Sequence, residues 1–453
     1  MEKFFKLKEK GTDVRTEMIA GITTFMTMAY ILAVNPSILG ATGMDSGAIF
    51  TATALASAIA SFCMAFLANL PFVLSAGMGL NAYFAYTVVL GMGYSWEVAL
   101  TAVFAEGLVF ILLSLTNVRE AIFNAIPQTL KYGVSVGIGL FICFIGLQNA
   151  HIAVDSSTLV TIFSFSQSVK AGTFNSEGIT VLLALIGIII TGYLVIKGVK
   201  GNILIGIFVT WILGILCQLA GIYVPNPDAG FYSLIPSGVV SMPASIAPTL
   251  FKFDFSIIAE HPLDFFSVLF AFLFVDIFDT LGTLIGCASK ADMLDKDGKL
   301  PEIKGALLAD SIGTMVGACL GTSTITTFVE SSSGIAEGGR SGLTAVVSGL
   351  FFLLALFFSP IFLAIPSFAT APALVIGFLM IQQVVKVEWD DLLEAIPAYI
   401  AIFAMPFLYS ISEGISLGII SYVLLHVLSG KGKSVTPLMY VLAILFVLKY
   451  IML

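Results

Sequence analysis

The sequence predicts an all-α protein that crosses a membrane many times, and two properties of its composition lead to this fold class. Of its 453 residues, 58% are hydrophobic and only 11% are charged, and the mean hydropathy is +1.04. An average soluble domain has about 25% charged residues, so a soluble fold of this length would lack the polar surface to cover itself. The 20 Lys and Arg are outnumbered by 28 Asp and Glu, for a net charge of −8. This balance excludes the basic surface by which proteins bind nucleic acid.

Apolar runs that are long enough to cross the lipid bilayer, about 20 residues for a full helix, recur along the whole chain. Fourteen such runs lie at 18–39, 47–69, 72–91, 96–116, 121–149, 177–197, 202–221, 262–288, 304–320, 322–336, 342–359, 366–386, 391–410 and 412–429. A further apolar stretch at 438–453 is either an interfacial helix or an additional span.

Positive charge gives an independent test of this topology. If the N-terminus is cytoplasmic and each run crosses once, every Lys and Arg except Lys170, Lys252 and Lys449 falls on the cytoplasmic side. The positive-inside rule expects this distribution. The sequence therefore predicts a multi-pass protein of the cytoplasmic membrane with both termini in the cytoplasm.

The two halves of the chain resemble each other. The string LTAV opens the fourth run at 100–103 and the eleventh run at 343–346, and GLVFILLSL and GLFFLLALF follow. Because seven runs separate the two copies, they have opposite orientations in the membrane. Two inverted seven-helix repeats of this kind are common in secondary transporters. The alternative is chance similarity between apolar helices of similar composition.

The third and tenth runs occupy matching places in the two halves, and neither reads as an uninterrupted helix. The third run carries Gly77 and Gly79 beside Asn81, and the short, Ser/Thr-rich tenth run carries Glu330. The β-branched and aromatic residues at 323–329 favour a short extended segment before a half-helix. Irregular backbone in the bilayer is tolerated only where it lines protein or a wet cavity. Matching interruptions of this kind predict a substrate site at the middle of the membrane.

Carboxylates inside the predicted spans are the strongest candidates for chemistry. Asp276 and Asp279 share one face of the eighth run because they are three residues apart, and Glu330 lies in the tenth run. A central Asp costs about 2.5–3.5 kcal/mol to insert, so such residues suggest function. One carboxylate could accept paired N–H donors of a flat heterocycle while another carries an exchangeable proton. The structural alternative is that Asp279 caps a half-helix N-terminus.

Several other residues receive roles by position. Phe328 could stack on a planar ring, although a Phe in such a chain faces lipid or core by default. Asn81 occupies the place in the third run that Glu330 has in the tenth. Asp310 and Glu106 are interpreted as interhelical polar contacts, the former near the cytoplasmic end. The three His residues have no metal-ligand spacing, so we expect no metal and no cofactor other than a coupling proton.

Four strings carry a family resemblance over nearly the whole chain: AGITTFMTMAYILAVNP, SAGMGLNAYFAY, FVDIFDTLGTLIG and TSTITTFVESSSGIAEGGRSGLTAVV. They resemble those of the AzgA-type purine permeases, which belong to the wider nucleobase–ascorbate transporter group. The resemblance implies a proton symporter for adenine, guanine or hypoxanthine, possible homodimers, and short strands before the half-helices of the third and tenth spans.

The same resemblance implies two domains that move against each other in elevator fashion. The core domain would comprise spans one to four (18–116) and eight to eleven (262–360). The gate domain would comprise spans five to seven (117–221) and twelve to fourteen (361–430). A cytoplasmic tail (1–17), an extracellular loop (222–261) and a hydrophobic C-terminal tail (431–453) complete the predicted division.

The resemblance also implies residue roles. Asp276 and Glu330 become the main substrate-binding carboxylates, Asn81 and Asp279 support the site, and Phe328 and Val329 contact the base. The Gln/Glu-Asn-x-Gly signature of the uric acid–xanthine and uracil branches is here ESSSG at 330–334, which argues against xanthine, uric acid and ascorbate. Guanine and hypoxanthine are favoured over adenine because one carboxylate can accept guanine's ring N–H and amino group together.

Two alternatives come from other functional classes. A membrane prenyltransferase would bind diphosphate through magnesium at Asp-rich motifs, which Asp276 and Asp279 faintly resemble. Such an enzyme needs a second Asp cluster and basic residues for phosphate, and no predicted span supplies them. An ion channel or anion exchanger would be favoured by an Arg or Lys at the middle of a span, and none is visible. The sequence therefore favours a transporter over an enzyme.

Overall fold

The computed structural model describes residues 2–115, 126–157, 159–226, 230–291, 293–295 and 300–452. Eight helices in this described part are long and apolar enough to cross a membrane: Val14–Gly40 (counted across a two-residue break), Ser46–Ala68, Trp96–Leu115, Gln128–Asn149, Phe174–Ile196, Asn202–Leu219, Ile303–Leu320 and Gly342–Leu363. The protein is thus a multi-pass, mostly helical membrane protein. The predicted start of the fifth run at 121 lies outside the described residues.

The first half of the chain contains ten helices and three short strands among the described residues. They are α1 (Glu2–Phe5), α2 (Val14–Met28), α3 (Ile31–Gly40), α4 (Ser46–Cys63, with a π-helical end Met64–Ala68), β1 (Leu74–Ala76), α5 (Met78–Ala82, continued by a π-helix Tyr83–Gly91), α6 (Trp96–Leu115), α7 (Gln128–Asn149), β2 (Ala153–Ser156), β3 (Leu159–Ile162), α8 (Phe165–Ala171), α9 (Ile179–Ile196, after a π-turn Phe174–Gly178) and α10 (Asn202–Leu219).

The second half has ten helices and one strand in the described ranges. They are α11 (Ser256–Glu260), α12 (Pro262–Lys290), α13 (Ile303–Leu320), β4 (Ile325–Thr327), α14 (Ser331–Ala336), α15 (Gly342–Ala355, with a 3₁₀ end Leu356–Phe358), α16 (Ser359–Leu363), α17 (Leu374–Ile381, flanked by 3₁₀ turns Ser367–Ala373 and Gln382–Lys386), α18 (Leu392–Phe407), α19 (Ile411–Leu428, followed by a 3₁₀ turn Gly432–Ser434) and α20 (Pro437–Met452).

The helices pack in two groups. In the first, α13 lies against α4 and α6, and α15 lies against α2 and α4. In the second, α18 lies against α7 and α19, α17 lies against α7, and α9 packs on α10 and on the 3₁₀ turn Ser367–Ala373. Glycines allow the close approaches: a Cβ on Gly107 of α6 would lie 2.9 Å from the Met315 backbone of α13, and one on Gly133 of α7 would lie 2.9 Å from Ala398 of α18.

The predicted first span, 18–39, is not one helix. It begins at Val14, inside the expected tail, because Asp13 caps α2 by accepting a bond from the Thr16 N–H at 3.0 Å. The helix then breaks at Ala29 and Tyr30 before α3 starts. Pro36 inside α3 has no N–H to give, which leaves the carbonyl one turn earlier without its helical donor.

Two further regions differ from the sequence reading. The predicted twelfth span, 366–386, is a short α-helix between two 3₁₀ turns, in keeping with prolines at 366 and 372. The connection between the fifth and sixth runs holds an antiparallel hairpin, in which Ala153 pairs with Ile162 and Ser156 with Leu159. An all-α reading missed this hairpin because it searched for apolar length, whereas two four-residue strands depend on their pairing with each other.

Candidate functional site

The site is organised by two strands that pair across the halves of the chain. β1 and β4 are antiparallel, with Leu74 opposite Thr327 and Ala76 opposite Ile325. Two further backbone bonds extend the ladder: Gly77 N–H to the Thr324 carbonyl at 3.1 Å, and Phe328 N–H to the Val73 carbonyl at 3.0 Å. This pairing satisfies the backbone groups of both broken segments inside the protein, which the bilayer requires.

A half-helix leaves each strand. α5 follows β1 with Gly77 as its N-cap, and α14 follows β4 with Glu330 as its N-cap. Because the strands are antiparallel, the two half-helices leave in opposite directions. The short strands before the half-helices of the third and tenth runs are thus confirmed, and the space between the two caps is the candidate site.

Asp279 of α12 borders this space on the side of α5. A Cβ on Gly77 would lie 3.5 Å from Asp279 Oδ2 and only 2.7 Å from Thr326 Cγ2. The close approach of the α5 N-terminus to β4 therefore needs glycine at 77, whereas the contact with Asp279 has ordinary van der Waals spacing. Asp279 is half-buried and lies within electrostatic range of Asp310 and Glu330.

Glu330 borders the same space from β4 and α14, and Tyr30 holds its carboxylate. The Tyr30 hydroxyl donates to Glu330 Oε1 at 2.8 Å. The Phe328 ring lies beside Tyr30, with 6.5 Å between ring centroids and 40° between planes. Phe328 is buried, whereas the neighbouring Val329 is 44% exposed and Glu330 is half-buried. The site is thus accessible on the side of Val329 and Glu330.

Asp276, one helical turn from Asp279, is in a different environment. It is fully buried, and the Thr280 hydroxyl lies 2.8 Å from Asp276 Oδ1, 2.9 Å from Asp310 Oδ1 and 2.7 Å from Thr326 Oγ1. The structure therefore gives the two aspartates of α12 different contacts. Asp276 shares the Thr280 hydroxyl with Asp310 inside the protein, whereas Asp279 lies beside Gly77 and within electrostatic range of Asp310, Glu330 and Tyr30.

Asn81 is also buried, and it connects the two broken segments. Its side-chain oxygen accepts a bond from the Ser323 hydroxyl, and its amide donates weakly to the Ala76 carbonyl at 3.4 Å. A similar bond joins Glu106 Oε2 to the Thr324 hydroxyl at 2.6 Å. Asn81 therefore fixes the start of the tenth segment from the third.

This geometry is accompanied by similarity over almost the whole chain. The model of the Permease family matches residues 15–417. The chain belongs to that family. The resemblance to purine permeases found in the sequence is confirmed, because related proteins carry such names. The guanine/hypoxanthine permease PbuG of Bacillus subtilis is 45% identical and covers 100% of both chains. The adenine permease AdeP of Escherichia coli is 41% identical, over 100% of this chain and 96% of that protein.

Solved structures agree on the fold. The transmembrane domain of the cyanobacterial bicarbonate transporter BicA has a TM-score of 0.63 at 16% identity, over 88% of this chain and 97% of that chain. SLC26A9 has a TM-score of 0.63 at 13% identity, over 92% of this chain and 66% of that chain. At these identities the likeness shows the fold alone. As a member of a permease family, the protein is a transporter and not an enzyme, and the prenyltransferase alternative is set aside.

In this family member, the arrangement suits recognition of a neutral, flat donor. The carboxylates of Asp279 and Glu330 and the phenol of Tyr30 lie near the N-termini of α5 and α14. None of the salt bridges formed by described residues involves these three side chains. Within the described ranges, no group of three or more His, Cys, Asp or Glu could hold a metal ion.

Sequence reasoning missed one member of the site and misplaced another. Tyr30 lies in an apolar span, and its signal was the need of a buried phenol for a hydrogen-bond partner. Asp310 was interpreted as an interhelical contact near the cytoplasmic end. It is interhelical, but it contacts Thr280, which also bonds to Thr326 of β4 and so lies beside the strand crossing.

Proposed function

We propose that the protein is a proton-coupled symporter that imports purine nucleobases, with guanine and hypoxanthine as main substrates and adenine as a further one. One observation carries this proposal: Asp279 and Glu330 border the space between the two half-helix caps, with the Tyr30 hydroxyl bonded to Glu330. Guanine presents a ring N–H next to an amino group, and a carboxylate accepts such a pair of donors well. Relatives that are named as purine permeases support the same substrate class.

The buried pair Asp276 and Asp310 supports proton coupling. The Thr280 hydroxyl has one hydrogen, so it can donate to only one of the two carboxyl groups that lie within 2.9 Å of it. The other carboxyl group makes a favourable contact when it carries a proton and donates to the Thr280 oxygen. We assign the exchangeable proton to this pair and purine binding to Glu330 and Asp279, with Phe328 and Val329 beside the base.

We propose the elevator mechanism and the domain division given by the family resemblance, with fourteen spans in two inverted repeats. The first packing group would form the core and the second the gate. Among the described residues, polar contacts join these groups at several places, including a weak bond from the Thr87 hydroxyl to the Tyr409 carbonyl at 3.5 Å. Lys200, between α9 and α10, pairs with Glu337 after α14, and the Tyr86 hydroxyl bonds to the Asn149 side chain at 3.0 Å. Movement of the core would exchange these contacts. The N-terminus would be cytoplasmic, and the resemblance supports a homodimer.

The likeness to anion transporters raises a second candidate, which the site does not favour. Anionic cargo such as bicarbonate would approach the carboxylates of Asp279 and Glu330, and like charges repel strongly in a poorly solvated site. A neutral base with N–H donors meets no such repulsion.

The deciding experiment is uptake of labelled hypoxanthine by cells that lack their own purine permeases. Uptake is measured with and without a protonophore, with unlabelled guanine, adenine, xanthine and uracil as competitors, and with empty-vector cells as the control. We expect uptake that collapses with the protonophore and is blocked by guanine, less by adenine, and little by xanthine or uracil. Neither uptake nor competition from protein that reaches the membrane, with labelled adenine as well, would reject the proposal.

A further inference from the structure

Tyr30 is bonded to the proposed substrate carboxylate from the break in the first span. It is 1% exposed and lies between α2 and α3. Tyr30 is the N-cap residue of α3, but its side chain makes no capping hydrogen bond to that helix. Its hydroxyl donates to Glu330 Oε1 at 2.8 Å across 300 residues of sequence. Its ring lies beside Phe328, so both the polar and the apolar part of the side chain contact the segment that carries Glu330.

Glu330 depends on this contact for its orientation. As the N-cap of α14 it forms no side-chain capping bond to that helix, so the half-helix itself does not fix its carboxylate. The Tyr30 hydroxyl bonds to Oε1, the backbone N–H of Glu330 itself lies near the same carboxylate, and a ligand would approach from the exposed side marked by Val329. A side chain with several rotatable bonds loses less freedom on binding when it is held in advance.

We infer that Tyr30 is a positioning residue that orients Glu330 for purine binding. The inference rests on the proposed function, in which Glu330 contacts the base. Tyr30 acts through Glu330. Removal of the Tyr30 hydroxyl therefore weakens purine binding only when the carboxylate at position 330 is close enough to accept its hydrogen bond. A purely structural Tyr would instead lower affinity by the same factor whatever residue stands at 330.

The test is a double-mutant cycle on binding of hypoxanthine and guanine by the full chain in lipid nanodiscs. Tyr30→Phe removes the hydroxyl and keeps the ring, and Glu330→Asp withdraws the carboxylate by one methylene. We expect Tyr30→Phe alone to raise Kd about tenfold, the effect of losing one hydrogen bond to a charged group. In the Glu330→Asp background it should change Kd by less than about twofold, because the coupled contact is already gone.

Tyr223→Phe is the matched control. Tyr223 is equally buried, and its hydroxyl donates to the Tyr232 carbonyl at 2.7 Å, in the connection after α10. It should leave Kd unchanged while lowering the thermal midpoint about as much as Tyr30→Phe does. If Tyr30→Phe fails to accumulate, the cycle is repeated with Tyr30→Leu, which also removes the donor and keeps an apolar side chain beside Phe328.

The outcomes separate the inference from the function on which it rests. Equal losses of affinity in both backgrounds, or no loss with Tyr30→Phe, would overturn the inference while purine binding stands. A wild-type protein that binds no purine would overturn the proposed function. Purine binding that Glu330→Asp does not weaken would overturn the assignment of Glu330.

A second observation, independent of the site, concerns the last helix, α20. It packs against α19, and its side chains bond to the intervening turn at its start and to α19 at its end. Near the start, the Tyr440 hydroxyl donates to the Gly432 carbonyl at 2.9 Å. Near the end, the Tyr450 hydroxyl lies 2.6 Å from Ser416 Oγ and also donates to Glu413, both in the first turns of α19. Its 16 residues are about 24 Å long at 1.5 Å per residue.

α20 also reaches α12. Phe446 lies 5.2 Å from Phe270 and 6.2 Å from Phe274, measured between ring centroids, in the first half of that helix. Apart from Tyr450, the large side chains of α20 that are exposed among the described residues are apolar: Val441, Ile444, Val447, Leu448 and Ile451. An interfacial helix would instead carry a charged or polar face.

We propose that α20 crosses the membrane as an additional span, so that residue 453 and the turn 429–436 lie on opposite sides. The sequence left this open, and the proposal replaces the expected cytoplasmic C-terminus by an extracellular one. The test is a pair of alkaline phosphatase fusions, after Gly430 and after Leu453, each matched by a green fluorescent protein fusion at the same residue. We expect fluorescence without phosphatase activity after Gly430, and phosphatase activity without fluorescence after Leu453. Fluorescence at both positions would overturn the proposal.

Discussion

The two aspartates of α12 lie three residues apart, and the fold gives them different surroundings. Asp276 is fully buried and shares the Thr280 hydroxyl with Asp310, whereas Asp279 is half-buried beside Gly77, within electrostatic range of Asp310 and Glu330. Residues at spacing three share a helix face, but here the Thr280 hydroxyl contacts Asp276 and Thr326 of β4, whereas Gly77 lies beside Asp279. The comparison shows that two aspartates one turn apart can have different surroundings, and under the proposed function one contributes to substrate binding while the other shares a proton.

The largest effect is expected on the substrate side of this comparison, at Glu330, which lies within electrostatic range of Asp279. Glu330→Gln keeps the shape of the side chain but removes the charge that accepts N–H donors, and it should raise KM for hypoxanthine about 10- to 100-fold. The measurement is initial uptake with membrane protein quantified by immunoblot. Glu260→Gln, on the exposed turn of α11, is the control and should leave uptake unchanged. Unaltered uptake by Glu330→Gln would place the substrate elsewhere.

The next change removes the hydroxyl that Asp276 shares with Asp310 on the buried side of the comparison. Thr280→Val removes the hydroxyl between Asp276 and Asp310 while keeping the volume of the side chain, so two carboxyl groups lose a shared partner. We expect concentrative uptake to fall at least about tenfold. Exchange of labelled for unlabelled hypoxanthine across the membrane, which needs no net proton movement, should stay within about threefold.

Thr283→Val, one turn away on the same helix, is the matched control and should keep both activities. If Thr280→Val lost exchange and accumulation together, the buried pair would belong to substrate binding rather than to proton coupling. That result would restore the role that the family resemblance implies for Asp276.

A smaller effect tests the closeness of α5 to the site. In Gly77→Ala the added methyl group would lie 2.7 Å from Thr326 Cγ2, so β4 or α5 shifts by several tenths of an ångström. We expect KM for hypoxanthine to rise about three- to tenfold through the displaced cap beside Asp279. Gly192→Ala in α9 adds the same methyl group where no atom lies within 4 Å and should be silent. If Gly77→Ala and Gly192→Ala raised KM equally, the effect would come from replacing a helical glycine in general and not from the contact of Gly77 with the site.

The sequence predicted the broken third and tenth segments because glycine, serine and a carboxylate are costly inside a bilayer and therefore mark a site. It also predicted the strand within 323–329, since β-branched residues there favour extended backbone. It could not predict the pairing of Leu74 with Thr327, which depends on contacts between distant segments. For the same reason Tyr30 was missed: a buried phenol needs a hydrogen-bond partner, but that partner lies 300 residues away and the local sequence does not indicate which residue it is.

The smallest effect is expected at Val329, and it tests which side of the site the base contacts. Val329 is 44% exposed beside Glu330, and its carbonyl accepts a weak bond from Cys287 Sγ at 3.8 Å, so Val329→Ala trims the side chain and leaves the backbone held. Loss of two methyl groups of partial contact should weaken competition by hypoxanthine and guanine about threefold, and equally, because neither base differs in its apolar face. Val240→Ala, exposed in the connection after α10, is the control and should not change competition. If Val329→Ala weakens competition by guanine and hypoxanthine to different extents, Val329 lies beside the 2-amino group of guanine rather than against the ring face. That position would be next to the donor edge proposed to contact Glu330.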